Sequence, residues 1–138
     1  MPGPDFLDTN VLVYAYDVSH PAKQQTAQNL VRQAVAGEIW ISTQVLAEFA
    51  ATLLHKLAPA ISASDLGALL DILGPIPVIT PDGDMVKRAV EAHAAYHLHF
   101  YDAMIVAAAE RAACARIWSE DLNSGQTYFG ITVTNPFA

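Results

Sequence analysis

The sequence predicts an α/β fold built around a largely parallel β-sheet. Short β-like apolar runs alternate along the chain with longer segments of helical periodicity, which is the pattern of βαβ units. The chain has 138 residues, 53% of them hydrophobic, so it can bury a core without disulfides or a structural metal. No internal repeat, low-complexity segment or linker divides it. We therefore expect a single domain over residues 1–138.

The first half of the chain begins with a short apolar strand that ends at Asp8. Pro21 suits the first turn of a helix, and Gly37 suits the position just after its end. Ser42 is a natural N-cap, and apolar residues at three- and four-residue spacing continue the next helix until Pro59 stops it. The elements predicted here are a strand at 5–7, helices at 11–16 and 21–35, a strand at 38–41 and a helix at 43–57.

The second half of the chain alternates helices and strands in the same way. Ser62 or Ser64 caps a helix, and Thr80 with Pro81 opens another. Pro77 lies within the third strand, which indicates an edge position in the sheet. The segment 100–113 is apolar on nearly every face, so it should be the most buried helix. The elements predicted here are a helix ending near 73, a strand at 76–79, helices at 80–94 and 100–113, and strands at 116–119 and 131–134.

Composition limits the classes of function. The formal net charge of −7 argues against broad electrostatic adhesion to nucleic acid, although it does not exclude a nucleic-acid substrate. The single cysteine, Cys114, rules out an internal disulfide framework and a cysteine-based zinc site. No segment reaches the roughly 20 apolar residues of a membrane span, and the first residues lack the pattern of a secretory signal. We expect a soluble protein of the cytoplasm without a membrane association.

Four acidic residues stand where apolar segments change character, and they are the best indication of function. Carboxylates gathered in one place repel, because two unit charges about 4 Å apart cost roughly 4 kcal/mol at an effective dielectric constant of about 20. A fold that collects several of them therefore has a cation to hold, and such hard oxygen ligands suit Mg²⁺ or Mn²⁺. The four residues are Asp8, Glu48, Asp102 and Asp121.

Each of these acids also has a simpler explanation. Asp8 follows a strand at the sheet edge where ligands bind, but it is also a good helix cap. Asp102 can compensate the dipole of its helix, and Asp121 can belong to an ordinary turn. Glu48 lies on the flank of an apolar stripe, where a charge is usually just solvated. Polar side chains that could orient the acids lie nearby in the sequence, at Thr9, Asn10, Ser119 and Asn123.

Taken together, these segments resemble a known family. Residues 6–12 (FLDTNVL), Glu48 on an early helix, residues 100–103 (FYDA) opening an apolar helix and residues 119–122 (SEDL) stand in the order found in PIN-domain ribonucleases. The chain is particularly similar to the VapC toxins of bacterial toxin-antitoxin pairs. The resemblance covers essentially the whole chain, and the combination of motifs is specific although each alone is weak.

The resemblance implies a fold, an activity and partners. The fold is a five-stranded parallel sheet flanked by helices. The activity is endonucleolytic hydrolysis of RNA by a metal-activated water, with Mg²⁺ or Mn²⁺ held by residues matching Asp8, Glu48, Asp102 and Asp121. Ser119 matches a hydroxyl of the family. The implied partners are RNA, a VapB-like antitoxin and a second copy of the chain in a homodimer.

Alternatives remain at this point. The same fold could serve as a non-catalytic binding or dimerisation module. A phosphatase using Asp8 lacks a second acid two residues on, and a serine hydrolase lacks the Gly-x-Ser-x-Gly motif. His93, His97 and His99 could bind zinc only if one helix continued through them, whereas residues 96–100 resemble a connector. The RNA target, the number of metal ions and the antitoxin are not fixed by the sequence.

Overall fold

The computed structural model describes residues 3–138, so the first two positions of the predicted domain lie outside the described residues. Helices and strands alternate through most of this range, as the sequence predicts. Their bounds are β1 Asp5–Leu7, α1 Thr9–Tyr14, α2 Pro21–Val35, β2 Ile39–Ser42, α3 Thr43–His55, α4 Ala63–Ile72, β3 Val78–Ile79, α5 Gly83–Tyr96, α6 Phe100–Arg111, β4 Arg116–Trp118, β5 Thr127–Tyr128 and β6 Ile131–Thr134.

The strands form one sheet in the order β3-β2-β1-β4-β6-β5. Five of them, from β3 to β6, pair in parallel, which confirms the predicted parallel sheet. At the centre, Phe6 of β1 lies beside Trp40 of β2 on one side and Ile117 of β4 on the other. The Pro77-containing strand is at the edge, as expected, although only Val78–Ile79 is extended.

A sixth strand, β5, was not predicted. It pairs antiparallel with β6 through a two-residue turn made of Phe129 and Gly130, whose φ angles are 49° and 81°. A turn with positive φ at both central residues matches the twist of a hairpin, and it usually contains Asn-Gly or Asp-Gly. Phe129 carries no such signal, so the sequence gives little warning of this hairpin.

The helix ends differ from the prediction in ways that capping explains. Helix α1 begins at Thr9, two residues early, because Asp8 accepts a hydrogen bond from the Thr9 backbone N–H. Ser62 caps α4. The predicted start of α5 at Thr80 and Pro81 is wrong, because Asp82 is the N-cap and accepts from the backbone N–H of Met85. Helices α3 and α6 each end about two residues before the predicted position.

Helix α6 carries much of the buried surface, as its uniform apolarity predicts. Seven consecutive residues, 103–109, are buried. Ile105 and Val106 belong to the main core, the same cluster of buried side chains that includes Phe6 and Ile117 from the centre of the sheet. Each fully buried aliphatic or aromatic side chain of this kind contributes roughly 1.5–3 kcal/mol relative to an exposed one. In residues 3–138, no helix is long and apolar enough to cross a membrane.

The sheet order fixes where chemistry can occur. From β1 the chain builds outward through β2 to β3, and it later returns to place β4 on the opposite side of β1. The carboxyl ends of β1 and β4 therefore flank the point where the strand order reverses, and a crevice forms there in open α/β sheets. Asp8 follows β1 directly, and Ser119 follows β4 directly.

Candidate active site

Asp8 is the buried acid of the crevice. It is only 5% exposed, and its backbone N–H donates to the carbonyl of Trp118, which ties the end of β1 to the end of β4. Its carboxylate accepts hydrogen bonds from the Thr9 backbone N–H at 2.7 Å and from the Ser119 hydroxyl at 2.7 Å. Burial raises the pKa of Asp8 to about 6, and these two hydrogen bonds oppose that rise. Asp8 is thus both a helix cap and the acid at the centre of the crevice.

Ser119 holds Asp8 from the neighbouring strand. Its side chain is completely buried, and its hydroxyl accepts from the backbone N–H of Leu122 at 3.2 Å while it donates to Asp8. The Asn10 side-chain amide also donates to this hydroxyl, at 3.4 Å, so the hydroxyl's own proton is directed at the carboxylate. Ser119 therefore sets the orientation of Asp8 and also shapes the turn that leads to Asp121.

Asn10 joins two of the acids. Its amide nitrogen lies 3.2 Å from Asp8 Oδ2 and 3.1 Å from Asp121 Oδ2. Its amide oxygen accepts from the backbone N–H of Glu120 at 3.0 Å. Both ends of the Asn10 amide are thus engaged, and the loop after β4 is held against the start of α1. Asp121 is exposed, and its position near Asp8 depends on this contact.

Glu48 comes to the site from helix α3. It is exposed, but its Oε1 accepts from the Thr9 hydroxyl and from the Gln44 amide, each at 3.1 Å. Thr9 therefore contacts Glu48 rather than Asp8 through its side chain. Gln44 also donates to the backbone carbonyl of Tyr101 at 3.0 Å, which connects α3 to the first turn of α6.

Asp102 lies in that first turn of α6, as predicted, and it is half-buried. Within residues 3–138 its carboxylate accepts no hydrogen bond from a side chain or the backbone. Burial raises the pKa of Asp102; the charges of Asp121 and Glu48 raise it further, and His99 opposes the rise. A carboxylate without donors, close to like charges, is available to bind a cation.

The four acids act on one another electrostatically. Asp102 and Asp121 both help to raise the pKa of Asp8, while Asp121 and Glu48 help to raise that of Asp102. Across the described range, no three His, Cys, Asp or Glu side chains are close enough to enclose a metal ion on their own. That result does not conflict with Mg²⁺, which keeps several waters and uses one or two carboxylates together with phosphate oxygens. The donor set of hard carboxylate oxygens fits such an ion.

Glu120, the neighbour of Asp121, turns to a different set of partners. Its two carboxylate oxygens accept from the Tyr14 hydroxyl at 2.7 Å and from the Lys23 ammonium at 2.6 Å. Burial tends to raise the pKa of Glu120, but these two hydrogen bonds outweigh it and the pKa is lowered. Glu120 is therefore a fixed ion-pair partner that ties α1 and α2 to the loop after β4.

Some of the predicted polar residues are not brought to the acids. Asn123 is exposed, and in residues 3–138 only its backbone carbonyl is used, as an acceptor from Gln126.

The three clustered histidines lie on both sides of a helix break: α5 ends at Tyr96, and His97 adopts a left-handed backbone. His93 Nδ1 is 2.6 Å from the carbonyl oxygen of Leu98. This geometry removes the helical spacing that a zinc site would need.

The arrangement of strand, acid and helix is that of a known family. A family model described as the PIN domain matches residues 6–129. This chain belongs to the PIN domain family. The match begins one residue into β1 and ends at Phe129, in the turn between β5 and β6, so all four acids lie inside it. No curated protein sequence matches the chain.

Solved structures share this PIN fold over nearly their whole length. A toxin-antitoxin complex from Klebsiella pneumoniae is 19% identical with a TM-score of 0.69, covering 96% of this chain and 97% of that one. VapC20 from Mycobacterium tuberculosis, described as a sarcin-ricin loop cleaving toxin, is 19% identical with a TM-score of 0.68 and coverages of 93% and 98%. VapBC2 from Rickettsia felis, bound to a promoter DNA fragment, is 19% identical with a TM-score of 0.67, covering 95% of this chain and 97% of that one. At these identities the likeness shows the fold.

The PIN site also contains residues that sequence reasoning missed. Gln44 contacts Glu48 and the start of α6, and it precedes Glu48 by four residues on the same helix. That spacing is a usable signal, because side chains four apart on a helix are neighbours. The contact of Glu120 with Tyr14 and Lys23 joins residues distant in sequence, and no local pattern announces it.

Proposed function

We propose that this PIN domain is a metal-dependent endoribonuclease that hydrolyses RNA phosphodiester bonds and acts as a VapC-type toxin. The observation that supports it most is the group of four carboxylates, buried Asp8 with Glu48, Asp102 and Asp121, that repel one another at the point where the strand order reverses. Repulsion of this kind costs stability, and a cation bound there would relieve it. Phosphodiester hydrolysis is chemistry that such a cation supports.

The residues divide the work according to their surroundings. Asp8, oriented by Ser119 and Thr9, and Asp102, which has no competing donor in residues 3–138, would hold Mg²⁺ or Mn²⁺. When bound, the cation stabilises charge on the phosphoryl oxygens and lowers the pKa of water. Glu48 and Asp121, both exposed, would complete the set of ligands and position the attacking water. Asn10 keeps Asp121 facing Asp8.

The proposed toxin role rests on the likeness to solved structures. The similar structures include a toxin-antitoxin complex and a toxin that cleaves the sarcin-ricin loop, and another similar structure is bound to promoter DNA. By analogy this chain would pair with a VapB-like antitoxin, form a homodimer and cut RNA in the cytoplasm. The fold-level likeness supports this role, and the chemistry of the four acids supports the nuclease activity independently.

A cleavage assay tests the activity. The purified chain is incubated with single-stranded RNA and Mg²⁺ or Mn²⁺, and a parallel sample contains excess chelator. We expect new RNA ends that appear with the divalent cation and disappear with the chelator. RNA that stays intact under both cations would overturn the nuclease proposal and favour the non-catalytic binding or dimerisation module.

A further inference from the structure

A groove of about 430 Å³ runs along the side of the acid site. Helix α1 supplies Tyr14 to its lining, α3 supplies Glu48 and Thr52, and the loop after β4 supplies Asp121. The groove therefore begins at the acids themselves and continues away from them between two helices. Any polymer cleaved at the acids has a neighbouring segment that must lie along a surface of this kind.

One wall of the groove is a single stripe of helix α3. Glu48, Thr52 and Lys56 follow one another at four-residue intervals, and all three line the groove. Eight residues of helix span about 12 Å, so Lys56 lies two turns beyond the acid site on the same face. The Thr52 hydroxyl donates to the Glu48 carbonyl, so it is already engaged within the helix.

Charge distinguishes Lys56 from the rest of this lining. Among the described residues that line the groove, Lys56 is the one lysine or arginine, and it is exposed. Lys23, the other cation close by, is 2.6 Å from Glu120 and is thereby neutralised. Lys56 forms no ion pair with any residue in 3–138. Its charge is therefore available to an anion in the groove.

A simpler role for Lys56 would be to stabilise the end of α3. It is the C-cap residue of that helix, where a cation interacts favourably with the macrodipole. That role would affect stability and leave RNA binding unchanged. A phosphate contact would instead make RNA binding depend on salt through Lys56, because each neutralised phosphate releases condensed counterions.

We propose that Lys56 binds a backbone phosphate of single-stranded RNA in the segment that flanks the scissile bond, about 12 Å from the acids, and that the groove between α1 and α3 guides that segment. The proposal rests on the ribonuclease function proposed above. In a chain of net charge −7, Lys56, which has no ion-pair partner within residues 3–138, gives the phosphate backbone a local attraction that the surface as a whole lacks.

Lys56→Gln and Lys87→Gln form a matched pair. Lys87 is also exposed, has no ion pair within residues 3–138 and lies on α5, outside the groove. Cleavage kinetics and binding of a fluorescently labelled single-stranded oligoribonucleotide, followed by anisotropy, are measured between 50 and 200 mM salt. For Lys56→Gln we expect KM to rise about two- to fivefold, the scale of one exposed charge contact. The slope of log K against log salt should fall in magnitude by about 0.7.

Lys87→Gln should have the KM and the salt slope of the wild type. Lys56→Arg should also have wild-type values of both, because it keeps a positive charge at this position of the groove. Circular dichroism melting confirms that each variant is folded. A salt slope for Lys56→Gln equal to that of the wild type would overturn the phosphate contact, even if the wild type cleaves RNA. If the wild type binds the oligonucleotide without cleaving it, the nuclease proposal fails. A salt slope that changes in Lys56→Gln and not in Lys87→Gln would still support the phosphate contact in that case.

Discussion

The side-chain amide nitrogen of Asn10 lies 3.1 Å from a carboxylate oxygen of Asp121. The same nitrogen is 3.2 Å from Asp8, so one uncharged donor stands between two like charges. A hydrogen-bond donor shared in this way fixes the separation of the two carboxylates. Asn10 thus holds two of the acids in a fixed arrangement without adding a charge of its own.

Replacing Asn10 by Ala should weaken the site without removing any acid. The loss of a residue that orients metal-binding carboxylates typically costs about 10–100-fold in metal affinity or activity. We expect a loss of that size, with a higher Mn²⁺ or Mg²⁺ concentration needed for half-maximal cleavage. Asn123→Ala is the matched control, because Asn123 is exposed and within residues 3–138 makes no side-chain hydrogen bond. Equal activity of both variants would show that Asn10 does not position the acids.

Replacing Asp102 by Asn should abolish cleavage and preserve the fold. The substitution keeps the shape of the side chain and removes its charge, and no hydrogen bond from within residues 3–138 is lost. It also relieves repulsion from Asp121 and Glu48, so the melting temperature should be unchanged or slightly higher without metal. RNA cleavage with Mn²⁺ is the measurement. Full activity in this variant would remove Asp102 from the site.

A divalent cation should raise the melting temperature of the chain. A ligand that binds only the folded state stabilises it by about 2.7 kcal/mol when its concentration is 100 times its dissociation constant. We expect thermal melting to shift upward as Mg²⁺ or Mn²⁺ is added and to return on addition of chelator. Asp102→Asn provides the control and should reduce the shift. A shift of equal size in that variant would place the bound cation elsewhere.

The sequence was a good guide to where Asp8 and Asp102 lie in the fold. Asp8 comes directly after an apolar strand, and in a parallel sheet that position alone places it at the edge where ligands bind. Asp102 was predictable because a charge at the start of a uniformly apolar helix is conspicuous. These are local signals, and each can be evaluated within a few residues of the chain.

The remaining features depend on contacts between distant segments. Glu48 is exposed and looks like an ordinary solvated acid until Thr9 and Gln44 are seen to hold it. The β5 hairpin turns at Phe129, a residue type that does not favour positive φ. In both cases tertiary packing determines the outcome, and local preference does not reveal it.

In the absence of metal, stability should fall as pH rises from about 4 to about 6. Burial raises the pKa of Asp8 from 3.8 to about 6, so the folded chain holds this proton more tightly than the unfolded chain does. Where the folded state binds more protons, the free energy of unfolding decreases with rising pH. One pKa unit corresponds to about 1.36 kcal/mol, so the raised pKa of Asp8 accounts for a loss of about 3 kcal/mol in full, of which about 2 kcal/mol falls between pH 4 and pH 6. Denaturant unfolding in chelator at several pH values measures it.

Asp8→Asn separates this effect from the other carboxylates. The pKa of Asp82 is lowered to about 2, chiefly by hydrogen bonds from Arg111. The stability that ionised Asp82 contributes is therefore lost as the pH falls towards 2, below the pH range in which Asp8 titrates. We therefore expect Asp8→Asn to remove most of the decline between pH 4 and 6 and Asp82→Asn to leave it in place. A saturating divalent cation should also reduce the decline in the wild type, because it favours the charged form of Asp8 in the folded state. An unchanged decline in Asp8→Asn would assign the titration to another group.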